Sequence, residues 1–342
     1  MVRPRRGDVR PMLTKVLALD PIGRSTMDAP RDATMGSPIL VPFDGSAHAE
    51  SVFPYLTLLA DGERDIILLQ VVPEAQTLSS PLGEVMLSAN ELRQASETAA
   101  RADLDRAATK LTTVAPSLRI EHLVETGDPS QRIAEVAARC NARGIVLSSQ
   151  GVSATGPGGF GTVVSRVAYS APVPVMVVRP NGVVPDPDLV ARFVIAHDGS
   201  EHAARALPLV QDLARRLSAH IHLVTVVEDE ESPLPASVAA AIDPHLRDEA
   251  QADALNLARQ RVEGAGAQLL RQGLPASWQV LTGPAAPAII AACVHRDVLV
   301  ITSHGQSNSR WVLGSVAEKL LRESRVPVIL LRTSSGAEDT AP

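Results

Sequence analysis

Lysine is almost missing from this chain. Lys15, Lys110 and Lys319 are the only three, so arginine carries nearly all the positive charge. Neither glycine-rich stretch contains a lysine, which excludes the Gly-x-x-x-x-Gly-Lys-Ser/Thr phosphate loop. A surplus of positive charge is missing too: the formal net charge of −6 argues against nucleic-acid binding, which wants a basic face. Cysteine is scarce, with Cys140 and Cys293 in matching places and no partner pattern around either. They read as small buried residues rather than a disulfide or a metal pair. No apolar run approaches the ~18 residues of a membrane span. The N-terminal arginines (Arg3, Arg5, Arg6, Arg10) are followed by Lys15 and Asp20, a poor signal peptide. These scarcities predict a soluble cytoplasmic protein with no membrane partner.

What is present is a duplicated unit. A length of 342 residues suggests two domains, and an apolar fraction of 45% allows each a core. Residues 1–36 are rich in Arg, Pro, Asp and Met, have no later counterpart, and read as a flexible extension. From Pro38 the pattern is regular. Short apolar strands are expected at Pro38–Phe43, Asp65–Val72, Leu118–Glu125, Gly144–Ser148 and Val173–Val178, alternating with helical segments. The long helix is expected around Asn90–Leu111, Ser46 is a candidate helix cap, and Pro129 suits the first turn of the next helix. After a Pro/Asp linker (182–190) the order recurs, with strands at Phe193–Ala196, His220–Val227, Trp278–Leu281, Val298–Thr302 and Val326–Leu331. Even a proline within the helix after the first strand recurs, Pro54 against Pro208. The expected domains are thus 37–181 and 191–333, with a polar tail at 334–342.

Strands separated by helices of ten or more residues imply right-handed crossovers and a parallel sheet. The expected fold is α/β, two tandem Rossmann-like open parallel five-stranded sheets with helices on both faces. Ligands of such sheets sit outside the carboxyl ends of the strands, where the strand order reverses. Asp44 and Asp198, each in an Asp-Gly-Ser turn, and Gly127 and Gly283, each in a Thr-Gly pair, stand at those ends. So do the stretches Ser148–Thr162 and Thr302–Ser315, each opening a helix. Strand, glycine loop and helix start together present backbone N–H groups and a positive helix end to a phosphate. The bland readings stay open: the aspartates as helix-capping turn residues and the glycine stretches as plain connections. His304 as a base is disfavoured, because Gln150 occupies the matching place. His220 and His222 alternate on one strand without a further ligand at metal spacing, so a structural role is expected.

With Asp-Gly-Ser, Thr-Gly and Val-Pro-Val all duplicated in order, the chain resembles the universal stress protein family in its tandem form. The family's ATP-binding members show Gly-x-x-Gly, nine residues, then Gly-Ser/Thr. The first copy has Ser148-Ser149-Gln150-Gly151, nine residues, Gly161-Thr162; the second has Thr302-Ser303-His304-Gly305, eight residues, Gly314-Ser315. Ser148 and Thr302 therefore depart from the first glycine of the pattern. The resemblance implies an adenine nucleotide, ATP with Mg²⁺ as an option, in each copy. It implies that Asp44 and Asp198 lie near ribose and phosphates, with Pro42, Phe43, Ala196 and His197 also among the nucleotide-binding residues. It implies that the main chains of Val71 and Val226 read the adenine edge, with Gly127 and Gly283 beside them. Gly151, Gly161, Thr162 and Val163 would hold the phosphates in the first copy, and Gly305, Gly314, Ser315 and Val316 in the second. Chemistry supports such residue types, since glycine allows close backbone approach and an aspartate near polyphosphate suits Mg²⁺.

Three functional classes follow: a nucleotide-binding regulatory stress protein, an ATP-dependent ligase or hydrolase, and an interaction module that has lost nucleotide binding. The first is favoured, because no nucleophile motif or carboxylate cluster marks an enzyme beyond slow ATP hydrolysis. An unidentified regulatory protein partner is expected. The fifth strands are candidate edges for pairing between the halves. Such pairing, as family members do between chains, would make an intrachain pseudo-dimer; the sequence neither requires nor forbids a further homodimer.

Overall fold

The computed structural model describes residues 37–59, 66–80, 85–151, 160–180, 190–228, 244–303 and 313–332. The first half contributes strands β1 (Ile39–Pro42), β2 (Ile66–Val72), β5 (Ile120–Thr126), β6 (Gly144–Ser148) and β7 (Val175–Val178). Between β2 and β5 lies a small antiparallel hairpin, β3 (Leu78–Ser79) and β4 (Val85–Leu87), within what reads in sequence as a plain polar stretch. The helices are α1 (Phe53–Leu59), α2 (Ala89–Val114), α3 (Pro129–Arg139) and α4 (Thr162–Ser170).

The second half repeats the order with β8 (Arg192–Ala196), α5 (Glu201–Ala204), α6 (Leu207–Leu217), β9 (His220–Val227) and α7 (Pro244–Arg271). It continues with β10 (Ala276–Thr282), α8 (Ala285–Ala292), β11 (Asp297–Thr302), α9 (Ser315–Glu323) and β12 (Val328–Leu331).

The strands of both halves join in one ten-stranded sheet, ordered β10-β9-β8-β11-β12-β7-β6-β1-β2-β5. All neighbouring pairs are parallel except the central one, where β7 meets β12 antiparallel through Val177–Val328, Met176–Ile329 and Val175–Leu330. The fifth strands thus do pair, and they do so at the middle of the sheet rather than at an open edge. Both halves fall in a single unit, Gly36–Pro342.

Local chemistry explains the elements. Central strands read as unbroken apolar runs because both faces are covered; Ile66 to Leu69 and Val298 to Ile301 are all buried. Helix α2 starts with a full capping box, in which the Ser88 hydroxyl accepts from Glu91 N and the Glu91 carboxylate accepts from Ser88 N. Asp128 caps α3, accepting from Gln131 N at 3.0 Å, with Pro129 in the first turn. The two recurring prolines are not inside a helix as the pattern suggests. Pro54 and Pro208 each stand second in α1 and α6, after a separate short turn, where a missing N–H costs nothing. In the first half the N-cap of that short turn is His48, which makes no side-chain cap bond, while the Ser46 hydroxyl accepts from Ala49 N at 3.1 Å; in the second half Ser200 is itself the cap, accepting from Ala203 N at 3.1 Å. No described helix is long and apolar enough to cross a membrane.

Candidate functional site

In the first half the strand order reverses between β6 and β1. The chain leaves β1 toward β2 and β5, then returns to the other side of β1 for β6 and β7, so a crevice opens where the connections diverge. Asp44 and Gly151 meet there. A Cβ built on Gly151 would lie 2.3 Å from Asp44 Oδ2, so the carboxylate rests directly on the glycine backbone. The turn that places Asp44 is set locally. Its Oδ1 accepts from Ser46 N at 3.1 Å, and Gly45 takes φ +80°, which a side chain would resist.

The glycine loop closes onto its own strand: Gly161 N donates to Ser149 O at 3.0 Å, and Ser149 N to Val178 O at 2.7 Å. Gly161 then caps α4 without a side-chain bond, leaving Thr162 and Val163 in a first turn whose N–H groups need an acceptor. Ser149 is fully buried, and its Oγ has no hydrogen-bond partner among the described residues. Ser148 Oγ accepts from Gln150 N at 3.3 Å, so the residue that replaces the first glycine of the pattern is occupied within the loop. Pro42 and Phe43 follow along β1, Val71 is near the end of β2, and Gly127, at φ +136°, donates its N–H to Val72 O. The structure therefore sets all the first-half candidates at the carboxyl ends of β6, β1, β2 and β5, four consecutive strands.

The second half repeats this geometry. Asp198 Oδ1 accepts from Ser200 N at 2.9 Å and from Ser200 Oγ at 2.6 Å, and Gly199 takes φ +79°. Gly314 N donates to Ser303 O at 3.0 Å, and Gly314 caps α9 without a side-chain bond, presenting Ser315 and Val316. Ala196, Val226 and Gly283 hold the places of Pro42, Val71 and Gly127, and Gly283 N donates to Val227 O. Gly305 and His304 lie outside the described residues.

The halves differ in charge around this shared frame. His197 replaces Phe43; it is buried, and its Nδ1 accepts from Gly199 N at 3.0 Å. Burial holds its pKa below the ordinary histidine value, partly opposed by the Asp198 carboxylate. The larger difference comes from the long helices, which carry no turn or glycine motif. A Cβ on Gly45 would meet Asp103 Oδ2 at 2.7 Å, and one on Gly199 would meet Arg261 Cδ at 2.6 Å. Buried Ala100, Leu104 and Leu111 of α2 match buried Ala258, Val262 and Leu269 of α7, which puts Asp103 and Arg261 in one position with opposite charge. Asp103 is further bonded by Arg106 and lies 3.5 Å from Gln70 Nε2. Glu228 supplies a second exchange: its Oε1 accepts from Ala285 N at 2.9 Å, capping α8 where Pro284 stands in place of Asp128. Aligning the buried positions of the two long helices is the sequence signal that would have found Asp103 and Arg261.

The histidines on β9 have a structural setting away from the crevice. His220 Nε2 and His222 Nδ1 both lie 2.8 Å from the Ser277 hydroxyl, near the Arg192–Asp297 ion pair at the amino ends of the strands. Cys140 is buried, Cys293 is mostly so, and neither forms a disulfide.

The family model of the universal stress proteins matches residues 35–179 and again 190–332. The chain belongs to the universal stress protein family. A universal stress protein of Mycobacterium tuberculosis is 31% identical over 193 residues, covering 56% of this chain and 62% of the relative. The chain thus spans under two thirds of that relative's length. The stress response protein NhaX of Bacillus subtilis is 27% identical over 164 residues, covering 41% of this chain and 97% of NhaX. Among solved structures, a universal stress protein from Archaeoglobus fulgidus superposes with a TM-score of 0.62 over 87% of this chain and 98% of its own. At 21% identity that last likeness is one of fold. In family terms, this universal stress protein carries both of its domains in one chain.

Proposed function

We propose that this universal stress protein is a regulatory member of the stress response that binds an adenine nucleotide, ATP with Mg²⁺, in one or both halves. The observation that carries the reading is the contact of Gly151 with the Asp44 carboxylate at the strand-order reversal, beside the uncapped start of α4. A side chain at Gly151 would fill that approach. The buried Ser149 hydroxyl, without a hydrogen-bond partner among the described residues, adds a polar group that a ligand could satisfy. The residues fit such a ligand. Gly151, Gly161 and Thr162 would offer backbone donors and a hydroxyl to phosphates, while Asp44 would serve the cation that a polyphosphate brings. The names of the relatives in M. tuberculosis and B. subtilis support the stress-response assignment.

Binding, not turnover, is the proposed activity: occupancy biases conformation and hence the choice of a regulatory protein partner. Native mass spectrometry of freshly purified protein tests this. One or two adenine nucleotides per chain supports the reading and counts the working cradles. A clean apo mass with no uptake of Mg-ATP rejects it in favour of an interaction module without nucleotide. That second reading has its own observation, the Ser148 hydroxyl set where the family pattern has glycine. Phosphate release at about 1 s⁻¹ or faster would make the protein an ordinary enzyme.

A further inference from the structure

Phe160 directly precedes Gly161 at the closing end of the first glycine loop, and two guanidinium groups lie over its ring. Arg179 stands over it at 5.8 Å from the centroid and Arg322 at 5.7 Å, both within cation–π range. The two arginines belong to different halves. Arg179 follows β7 and crosses the central seam, where its Nε donates to Ser324 O at 3.0 Å and its Nη2 to Leu321 O at 2.8 Å and to Arg322 O. Those are the carbonyls at the end of α9, which have no acceptor role inside the helix and favour a cation. Arg322 is itself held on α9 by Glu318 at 3.2 Å.

The start of α9 is Gly314–Ser315, the second candidate cradle. One helix therefore carries the second cradle at its first turn and grips the first cradle's loop at its last. The second half has no mirror image of this clamp: Leu313 stands where Phe160 would be and is buried, and Arg332, the counterpart of Arg179, is exposed.

We propose that Phe160 is a positioning residue of the first cradle, clamped by Arg179 and Arg322, and that the clamp links that cradle to the second through α9. The linkage rests on the nucleotide reading; the clamp does not. Binding at either cradle changes the other's affinity by the same factor, because coupling free energy is reciprocal.

Hydrogen exchange on the full chain without ligand tests the clamp, comparing wild type with Phe160→Ala and Phe160→Tyr. In Phe160→Ala, the amides of residues 161–165 and of Leu320–Ser324 should exchange about tenfold faster, while Phe160→Tyr restores both. Unchanged exchange in Leu320–Ser324, or acceleration spread evenly through β10 and α7, overturns it. Titration with Mg-ATP tests the linkage in an Asp44→Ala chain, which leaves the second cradle intact. There, adding Phe160→Ala should shift the remaining Kd roughly fivefold, and an unmoved Kd refutes the linkage. If wild type takes up no Mg-ATP, the nucleotide reading and the linkage fall together. The exchange result still decides the clamp.

Discussion

Replacing Gly151 by alanine separates the cost to the fold from the cost to the candidate site. The new methyl carbon would sit 2.3 Å from Asp44 Oδ2 and 3.4 Å from its Cγ, so the carboxylate must swing away by roughly the missing ångström of van der Waals contact. Asp44 is exposed, and rotating it endangers the bond from Ser46 N at 3.1 Å. Losing such a bond costs about 1 kcal/mol at most, a Tm shift of about 4 °C or less for a chain of this size. The cradle fares worse, because the glycine approach is filled and the aspartate displaced together. Forfeiting contacts of the charged-hydrogen-bond kind, about 1.5–3 kcal/mol, weakens first-site binding of Mg-ATP by roughly ten- to a hundredfold. Gly161→Ala is the internal control for sterics: its nearest neighbours, Ser149 O and Val164 Cγ2, are both at 3.5 Å, and its φ of −65° suits alanine. Calorimetric titration paired with thermal unfolding reads both quantities. First-site affinity of Gly151→Ala within twofold of wild type would refute the assignment of this crevice, and a large loss of Tm would refute the claim that Asp44 yields cheaply.

Three further outcomes follow from the same coordinates. Asp297, with its side chain 1% exposed, accepts from Arg192 Nε at 3.1 Å, Arg192 Nη2 at 2.6 Å and Val294 N at 2.7 Å. Arg192 can still reach water, so Asp297→Ala should cost about 2–3 kcal/mol, below the full price of a stranded buried ion; urea unfolding with an unchanged slope checks it. His197, His220 and His222 all have pKa values lowered chiefly by burial, so the unfolded chain takes up protons first. Their contribution is complete above pH ~6.5 and is lost as pH falls from there through the folded-state values. Unfolding free energy should therefore drop between pH 7.5 and 5.5, and His197→Phe, which installs the residue of the first half, should flatten that drop. Finally, burial and the Asp297 carboxylate push the Cys293 thiol up to about 12. Native protein at pH 8 should resist alkylation at Cys293, and rapid labelling there would contradict the packing around β11.

Much of the architecture is legible in the sequence. Strand and helix order in both copies, the helix start at Thr162 and the strand Gly144–Ser148 all follow from local patterns of apolar residues and turn formers. Such signals survive because a parallel strand covered on both faces needs an unbroken apolar run whatever lies next to it. The hairpin at Leu78–Ser79 and Val85–Leu87 escaped notice because it buries little: Leu78, Val85, Met86 and Leu87 are all exposed, so no alternation marks it. Pro54 and Pro208 misled in the other direction, since a proline within a helical pattern does not reveal that one helix has ended and another begun.

The candidate site divides along the same line. Asp44, Gly151 and Gly161, with Asp198 and Gly314, were legible because turns and helix starts constrain residue type at fixed spacing. Nothing local says that Asp103 and Arg261 cover the two turn glycines with opposite charge, that His197 is buried, or that arginines from both halves lie over the Phe160 ring. By itself the sequence determined the duplicated unit, its elements and the residues at each strand end, through interactions among near neighbours. Only the tertiary structure decided the antiparallel β7–β12 seam, the charge that packs on each turn glycine and the reach of Arg179 to α9, because each depends on which distant surfaces pack together.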